Sequence, residues 1–501
     1  MTSIISVDCV NAIDDAVLVY GHFNVIHSGH LRYLRYAKSL GKTLVLALIG
    51  DNHAKSSIQY QFEQQDRADA ILSLNLVEQI VLLNQKELAG VVERLRPKFL
   101  VLGKEYETIN DKNIIQAIEE LKSQGGSFQF HAGAVSYAST DLLRNSKTHI
   151  EKVRKNQYFS VLKRNNIEKH NLLDALASLQ NAKILVIGDT IVDQYVACEA
   201  LGMSAEAPVI VVKELDKQNY LGGASIVASH LGTLGVKSTY LSIIGNDSSG
   251  DFVKYKLNDY GVNAHLIKDP NRPTTRKKRY LVDNQKLFRV SRLDTRKLDQ
   301  EIEDLLLKKI NELIEDVDAV IVSDFVYGVI TPKILQKLNE LASKLGFLLI
   351  GDLQCSSQIG SVIQFENFDL ISPNEREARI GLQDNDSGLE AICQKIIKKT
   401  NCKNLIMKLG SNGFIIFDQN KSEECRREIF PALSVNPVDV AGAGDSLLAI
   451  MAAGLAVKQP ILTTAALSCC MTSLAVEKMG NMPISSSELR NRIVDIYNSD
   501  I

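Results

Sequence analysis

Several features are missing from this sequence, and each absence removes a class of function. Residues 1–30 show no basic segment leading into an apolar core and a cleavage site, so no secretory signal is expected. No apolar run approaches the roughly 20 residues a helix needs to span a bilayer, so no membrane partner is expected. Positive charge is not in excess: 57 Lys and Arg stand against 59 Asp and Glu, a net charge of −2. That balance gives no bulk attraction to nucleic acid or an anionic membrane, and no basic stripe with interleaved aromatics marks a nucleic-acid groove. The eight cysteines form no CxxC pair and no metal-finger spacing. They read as buried thiols of a reducing compartment, with Cys469 and Cys470 adjacent in an apolar stretch, and a cytoplasmic location follows. A Gly/Ser-rich or Pro-rich tether is also absent, so no long flexible linker is expected.

What remains is an ordinary globular composition over 501 residues, enough for about two to four domains with full cores. The most informative stretch is Asp439-Val440-Ala441-Gly442-Ala443-Gly444-Asp445-Ser446, followed by an apolar helical run from Leu447 to Val457. Two glycines around one alanine leave little bulk at the turn. Three successive N–H groups can then point into one space at a helix N-terminus, an anion cradle favoured by the helix dipole. A carboxylate beside such a cradle, Asp445, suits a base that deprotonates a hydroxyl while the amides hold a transferred phosphoryl group.

Two segments are expected: residues 1–150 and residues 155–501. In the first, the strand Ala16–Tyr20, the turn from Gly21, a helix over Leu31–Leu40 and the strand Thr43–Ile49 make a βαβ unit with a parallel sheet. His27 and His30 lie three apart where the helix begins, Gly29 keeping space between them, so both rings can meet phosphate oxygens. In the second, the strand Lys183–Gly188, a strand over Pro208–Lys213 and a helix from Ala224 to Leu234 are followed by alternating helices and strands. That alternation reads as a doubly wound α/β sheet with its ligands at the strand C-termini, where Asp189, Asp324, Asp352, Asn374 and Gly410 fall.

The His27-Ser28-Gly29-His30 motif after a strand resembles the HxGH nucleotidyltransferase superfamily of cytidylyl- and adenylyltransferases. Gly103-Lys104 and Ser139-Thr140-Asp141-Leu142-Leu143-Arg144 match further motifs of that family, over about residues 16–145. The resemblance implies a Rossmann-like domain in which His27 and His30 act in catalysis. Phe23, Gly29, Gly103, Lys104, Ser139, Thr140 and Arg144 would bind nucleotide or phosphate. Asn24 stands where the family has Asp, and beyond Lys55 the stretch Ser56–Gln65 carries no cation.

Residues of about 180–490 resemble the ribokinase-like (PfkB) sugar kinases, through an ordered series ending in the Asp439–Asp445 motif. The resemblance implies that Asp445 is the catalytic base. Lys408, Gly410, Gly413, Gly442, Ala443 and Gly444 would bind nucleotide or phosphate, and Asp189, Asp193, Gly222 and Gly223 the sugar. Asn374 and Glu377 would organise Mg2+, partly through water, with ATP as phosphoryl donor. A small β-sheet lid is expected, and pairing of two copies through it.

More narrowly, Ser204–Val209 and Arg289–Asp294 are similar to the heptose-phosphate kinases, often fused to an HxGH adenylyltransferase in ADP-heptose synthesis. Here the transferase comes first. The implied function is a bifunctional sugar kinase and sugar-1-phosphate nucleotidyltransferase making an ADP-heptose-like activated sugar for surface glycan synthesis. A kinase paired with a cytidylyltransferase for another sugar or polyol, or a first half that only binds nucleotide, stay open, as does ATP or CTP as nucleotidyl donor. Ile226, Tyr327, Gln354 and Ala441 replace polar or cationic residues of that family's sugar pocket, so the accepted sugar is expected to differ from heptose 7-phosphate.

Overall fold

The computed structural model describes residues 3–24, 26, 28–51, 60, 62–83, 87–103, 106, 111–131, 147–283, 285–355, 360–418 and 426–498. The chain divides into two compact units, one of residues 1–146 with 383–395, the other of residues 147–382 with 396–501.

The first unit is built on a six-stranded parallel sheet. Its strands are β1 (Ser3–Ser6), β2 (Ala16–Gly21), β3 (Thr43–Ile49), β4 (Gln79–Leu83), β5 (Phe99–Gly103) and β6 (Ser127–His131). Their order is β1-β4-β3-β2-β5-β6, so the winding reverses between β2 and β5. Every residue of β2 is buried, as expected for a parallel strand covered on both faces. The helix α1 (Ser28–Lys38) starts three residues before its expected position, and it follows β2 at the reversal point, where ligands of open α/β sheets collect.

The second unit carries a nine-stranded sheet and a separate four-stranded one. The large sheet comprises β7 (Lys183–Gly188), β10 (Lys237–Gly245), β11 (Asn263–Asp269), β14 (Ala319–Asp324), β15 (Leu348–Leu353), β16 (Leu370–Ile371), β17 (Asn404–Lys408), β18 (Phe414–Asp418) and β19 (Arg426–Phe430). Its order is β11-β10-β7-β14-β15-β16-β17-β18-β19, parallel as far as β17 and antiparallel beyond. The small sheet holds β8 (Thr190–Met203), β9 (Ile210–Gly223), β12 (Thr275–Val282) and β13 (Gln285–Arg292) in the order β13-β12-β8-β9. The strand expected over Pro208–Lys213 starts at Ile210 and runs on to Gly223, because the whole stretch pairs antiparallel with β8.

The helix Ala443–Ala456 is buried from Asp445 to Gly454, which explains its nearly uninterrupted apolar run. Before the sheet, the helix Lys147–Arg164 folds onto this unit: Tyr158 donates to Ala466 O at 3.1 Å, and Arg154 to Ser411 O at 2.9 Å. Cys469 and Cys470 are buried here, but Cys9 is exposed, a correction to the expectation of uniformly buried thiols. Among the described residues no helix is long and apolar enough to cross a membrane.

Candidate functional site

In the second unit, the polar ends of β7, β14, β15, β16 and β17 lie on one edge of the parallel sheet, and residues 439–442 form a turn that leads into the helix Ala443–Ala456. Gly442 has φ +80°, a left-handed conformation that a side chain resists, and a Cβ there would collide with Asn481 Oδ1. The first full helical bond of the following helix is Ser446 N–H to Gly442 O, 2.9 Å. The amides of Gly442, Gly444 and Asp445 precede it and reach no carbonyl of the helix. Ala443 departs from the expected row of donors, since its N–H turns to Val440 O at 3.4 Å.

Asp445 is buried at the first turn of this helix, while residues 441–444 remain partly accessible. Burial raises its pKa to about 7, the negative Asp352 adding to the shift and Lys408 opposing it. Gln354 Nε2 donates to Asp445 Oδ1 at 2.8 Å and to Asp352 Oδ2 at 3.0 Å. Lys408 Nζ lies 2.5 Å from Asp352 Oδ1. Burial would lower the Lys408 pKa, but Asp352 and Glu377 outweigh it and hold the ammonium charged. Gln354 thus joins the two carboxylates, and the cation beside them is Lys408 of β17. Lys408, expected to contact nucleotide, is already committed to Asp352.

Asn374 and Glu377 form a reciprocal cap. Asn374 N–H donates to Glu377 Oε2 at 2.8 Å, Glu377 N–H to Asn374 Oδ1 at 2.9 Å, and Cys355 N–H to Glu377 Oε1 at 3.3 Å. Burial raises the Glu377 pKa, Lys408 opposing it. Gly410 and Gly413 bracket a short turn with φ +59° and +85°, and a Cβ on Gly413 would strike Phe430 O. That close approach alone requires the second glycine.

On the small-sheet side, Asp193 pairs with Arg279 and accepts from Asn481 Nδ2 at 3.1 Å. A Cβ on Gly222 would lie 2.6 Å from Asp193 Oδ2, and Gly223 caps the helix Ala224–Thr233 with φ +63°. Asp189, expected beside the sugar, is instead used by the loop after β14: Phe325, Tyr327 and Val329 donate their N–H groups to its carboxylate at 2.8, 3.3 and 3.3 Å. Ile226 is buried in the apolar core. Tyr327 leaves no cation at its position, but buried Lys277 of β12 sits 5.3 Å from its ring centre and 5.2 Å from that of Phe325. Sequence reasoning missed Lys277, Arg279 and Asn481. Only the alternation of β12, which puts 277 and 279 on one face, hinted at the first two.

In the first unit, His30 packs on Phe23 with ring centres 4.7 Å apart, Phe23 having φ +48° just after β2. Asn24 is buried. Gly103 ends β5 across the reversal point, and Gly29 lies in the first turn of α1. His27, Lys104, Ser139, Thr140 and Arg144 lie outside the described residues. Arg67, just past the cation-poor stretch, is almost wholly buried. It donates to Ile49 O at 3.0 Å, to Asp51 Oδ1 at 2.7 Å and to His22 O, pinning the ends of β2 and β3.

Comparison with known proteins agrees with both halves. Residues 181–488 match the pfkB family carbohydrate kinases, and residues 18–146 match a cytidylyltransferase-like family. The bifunctional protein HldE of Campylobacter jejuni subsp. doylei is 31% identical over 317 residues, 63% of this chain and 65% of that protein. The HldE protein of Desulfatibacillum aliphaticivorans is 30% identical over 319 residues, 63% of this chain and 64% of that protein. The chain thus spans just under two thirds of the length of these relatives. In fold, phosphofructokinase-2 from Escherichia coli aligns with a TM-score of 0.52 at 18% identity, over 63% of this chain and 99% of that one. The pfkB match covers more than half of the sequence, and the chain belongs to the pfkB family of carbohydrate kinases, with a cytidylyltransferase-like domain ahead of its kinase domain.

Proposed function

We propose that the chain is a bifunctional sugar-activating enzyme. The kinase half moves the γ-phosphoryl group of ATP onto a sugar hydroxyl. The transferase half joins a sugar 1-phosphate to a nucleoside monophosphate and releases pyrophosphate. The observation that carries this reading is Asp445: a buried carboxylate with a pKa near 7, oriented by Gln354, at the mouth of a helix N-terminus with free amides. Asp445 takes the proton of the attacking hydroxyl, and the amides of Gly442 and Gly444 meet the charge on the transferred group. Asp193 orients the sugar, and Lys277 and Arg279 favour one that carries a phosphate.

Mg2+ suits the hard oxygens of Asn374 and Glu377. Both Glu377 oxygens already accept backbone N–H groups, so these residues fit the ion through its waters rather than directly. When bound, the ion offsets phosphate charge. A homodimer is supported by the small sheet, which exposes Leu201, Met203, Ile210, Leu215, Phe288 and Val290. Light scattering that finds a monomer at micromolar concentration would remove that part of the proposal.

An ADP-heptose-like product is the finer reading. Product masses from a panel of sugars and sugar phosphates, heptose 7-phosphate included, supplied with ATP and with CTP in separate arms, test it. A newly phosphorylated sugar is expected in the sugar and sugar-phosphate arms and a nucleotide sugar in the arms supplied with a sugar 1-phosphate, with His30→Ala losing only the second. Absence of any sugar phosphate across the panel would overturn the kinase reading. No nucleotide sugar from any sugar 1-phosphate with either nucleotide would leave the first half a binding domain.

A further inference from the structure

We infer that Lys286 is a positioning residue for phosphoryl transfer, acting through Asp439 on the anion-binding turn. The inference rests on the kinase reading above. Asp439 opens the turn that ends at Asp445, and its carboxylate is buried. It gathers donors from separate parts of the unit. Lys286 Nζ at 2.7 Å and its own turn's Ala441 N–H at 3.1 Å reach Oδ1. Tyr195 OH at 2.6 Å and Gly480 N–H at 3.3 Å reach Oδ2. Of these four, only Lys286 carries a full charge.

Val438 and Val440, on either side of Asp439, are exposed, so apolar packing does not fix the shape of the turn. The backbone is tied through Val438 and Asp439 N–H to Val476 O, both before the glycines. Beyond them, Ala443 N–H to Val440 O at 3.4 Å and Ser446 N–H to Gly442 O at 2.9 Å close the start of the helix, and the Asp439 carboxylate holds the intervening Ala441 N–H. Burial by itself would leave that carboxylate costly, and Lys286 is the group that makes an ionised Asp439 tolerable there.

Lys286 and Tyr195 both belong to the small sheet, Lys286 on its outermost strand β13 and Tyr195 on β8. The same sheet carries Asp193, Lys277 and Arg279 on β8 and β12. The residues proposed to face the sugar and the two side chains that hold the Asp439 carboxylate therefore sit on one sheet. Lys286–Asp439 is the charged contact between that sheet and the turn, so the turn is fully formed only when the sheet is seated.

The test uses the full-length protein and two readouts. Hydrogen exchange of the 438–446 amides is measured for wild type, Lys286→Met, Lys286→Arg, Asp439→Asn and the Met/Asn double variant. The kcat for sugar-dependent ATP turnover and the KM for ATP are measured on the same set. Lys286→Met should speed exchange in that peptide by about tenfold or more, with the rest of the unit unchanged. It should lower kcat by roughly 10–100-fold with KM for ATP little altered, as a small misplacement of the cradle does. Lys286→Arg should recover most of both. The double variant should be no slower than Asp439→Asn, since the two act as one unit. Wild-type exchange and kcat in Lys286→Met, or losses that multiply in the double variant, would overturn the inference. Wild type without turnover on any sugar refutes the kinase reading instead, and the exchange data still decide whether Lys286 shapes the turn.

Discussion

Replacing Asp445 by Asn keeps the shape of the side chain, and its Oδ1 can still accept from Gln354, but it removes the titrating charge. In the wild type, burial and the nearby Asp352 raise this carboxyl from 3.8 to about 7. In its proposed role as base Asp445 works only when ionised, so kcat/KM for sugar-dependent ATP turnover should fall about tenfold per pH unit below 7. At pH 5 roughly one carboxyl in a hundred is ionised. The Asn variant should be about 10²–10⁴-fold slower at pH 8 and should lose this acid limb. Stability should move the opposite way. The native carboxyl holds its proton more tightly than the unfolded chain does. The native state is therefore least penalised below pH 4 and loses stability as pH rises toward 7. A shift from 3.8 to about 7 corresponds to at most about 4 kcal/mol, all of it present above 7. The Asn variant should thus melt several degrees above wild type at pH 8 and equal to it at pH 4. Kinetics across pH 5–9 and calorimetry at the two pH values check both halves. A variant that retains turnover, or a melting difference that is the same at both pH values, would refute the reasoning.

Three further substitutions probe the surroundings of that carboxylate. Gly442→Ala must adopt φ +80° and push into Asn481 Oδ1, so turnover should fall by about tenfold or more while far-ultraviolet circular dichroism stays native. Lys408→Met strips Asp352 of the ammonium 2.5 Å away and leaves buried Glu377 without its counter-charge, which should cost about 3–5 kcal/mol in urea unfolding. Asn481→Ala frees Asp193 from its 3.1 Å bond, so KM for the sugar should rise by roughly tenfold with KM for ATP unchanged, measured by steady-state kinetics.

Local chemistry made much of the architecture legible. The buried parallel strands β2, β3 and β7 are short apolar runs ending in turn signals, and they form within a residue or so of their expected limits. The polar residues Asp189, Asp324, Asp352 and Asn374, and with them Gly410, fall at strand C-termini because a doubly wound sheet puts its loops there. The apolar run after Asp445 forms a buried helix for the same local reason. The small sheet was less legible. β9 and β13 are largely exposed, and β8 is buried throughout its first seven residues and mostly exposed after them, so these strands show no sustained alternation, and the expected strand covers only the start of β9.

The sequence by itself determined the two α/β units, the order of their motifs and the turn that sets a carboxylate beside free amides. Each of these depends on neighbours a few residues apart, where side-chain size and backbone freedom decide the outcome. Tertiary structure alone decided how the buried charges are balanced. Lys408 answers Asp352 across 56 positions, Arg279 answers Asp193 across 86, and Lys286 answers Asp439 across 153. A buried carboxylate must find a cation, but nothing local to it says which strand will deliver one. The same rule explains why the absence of cations at positions 327 and 354 leaves neither place without a nearby positive charge. Lys277 comes from β12 to the Tyr327 ring and Lys408 from β17 to Asp352, placed there by the folding of the sheets.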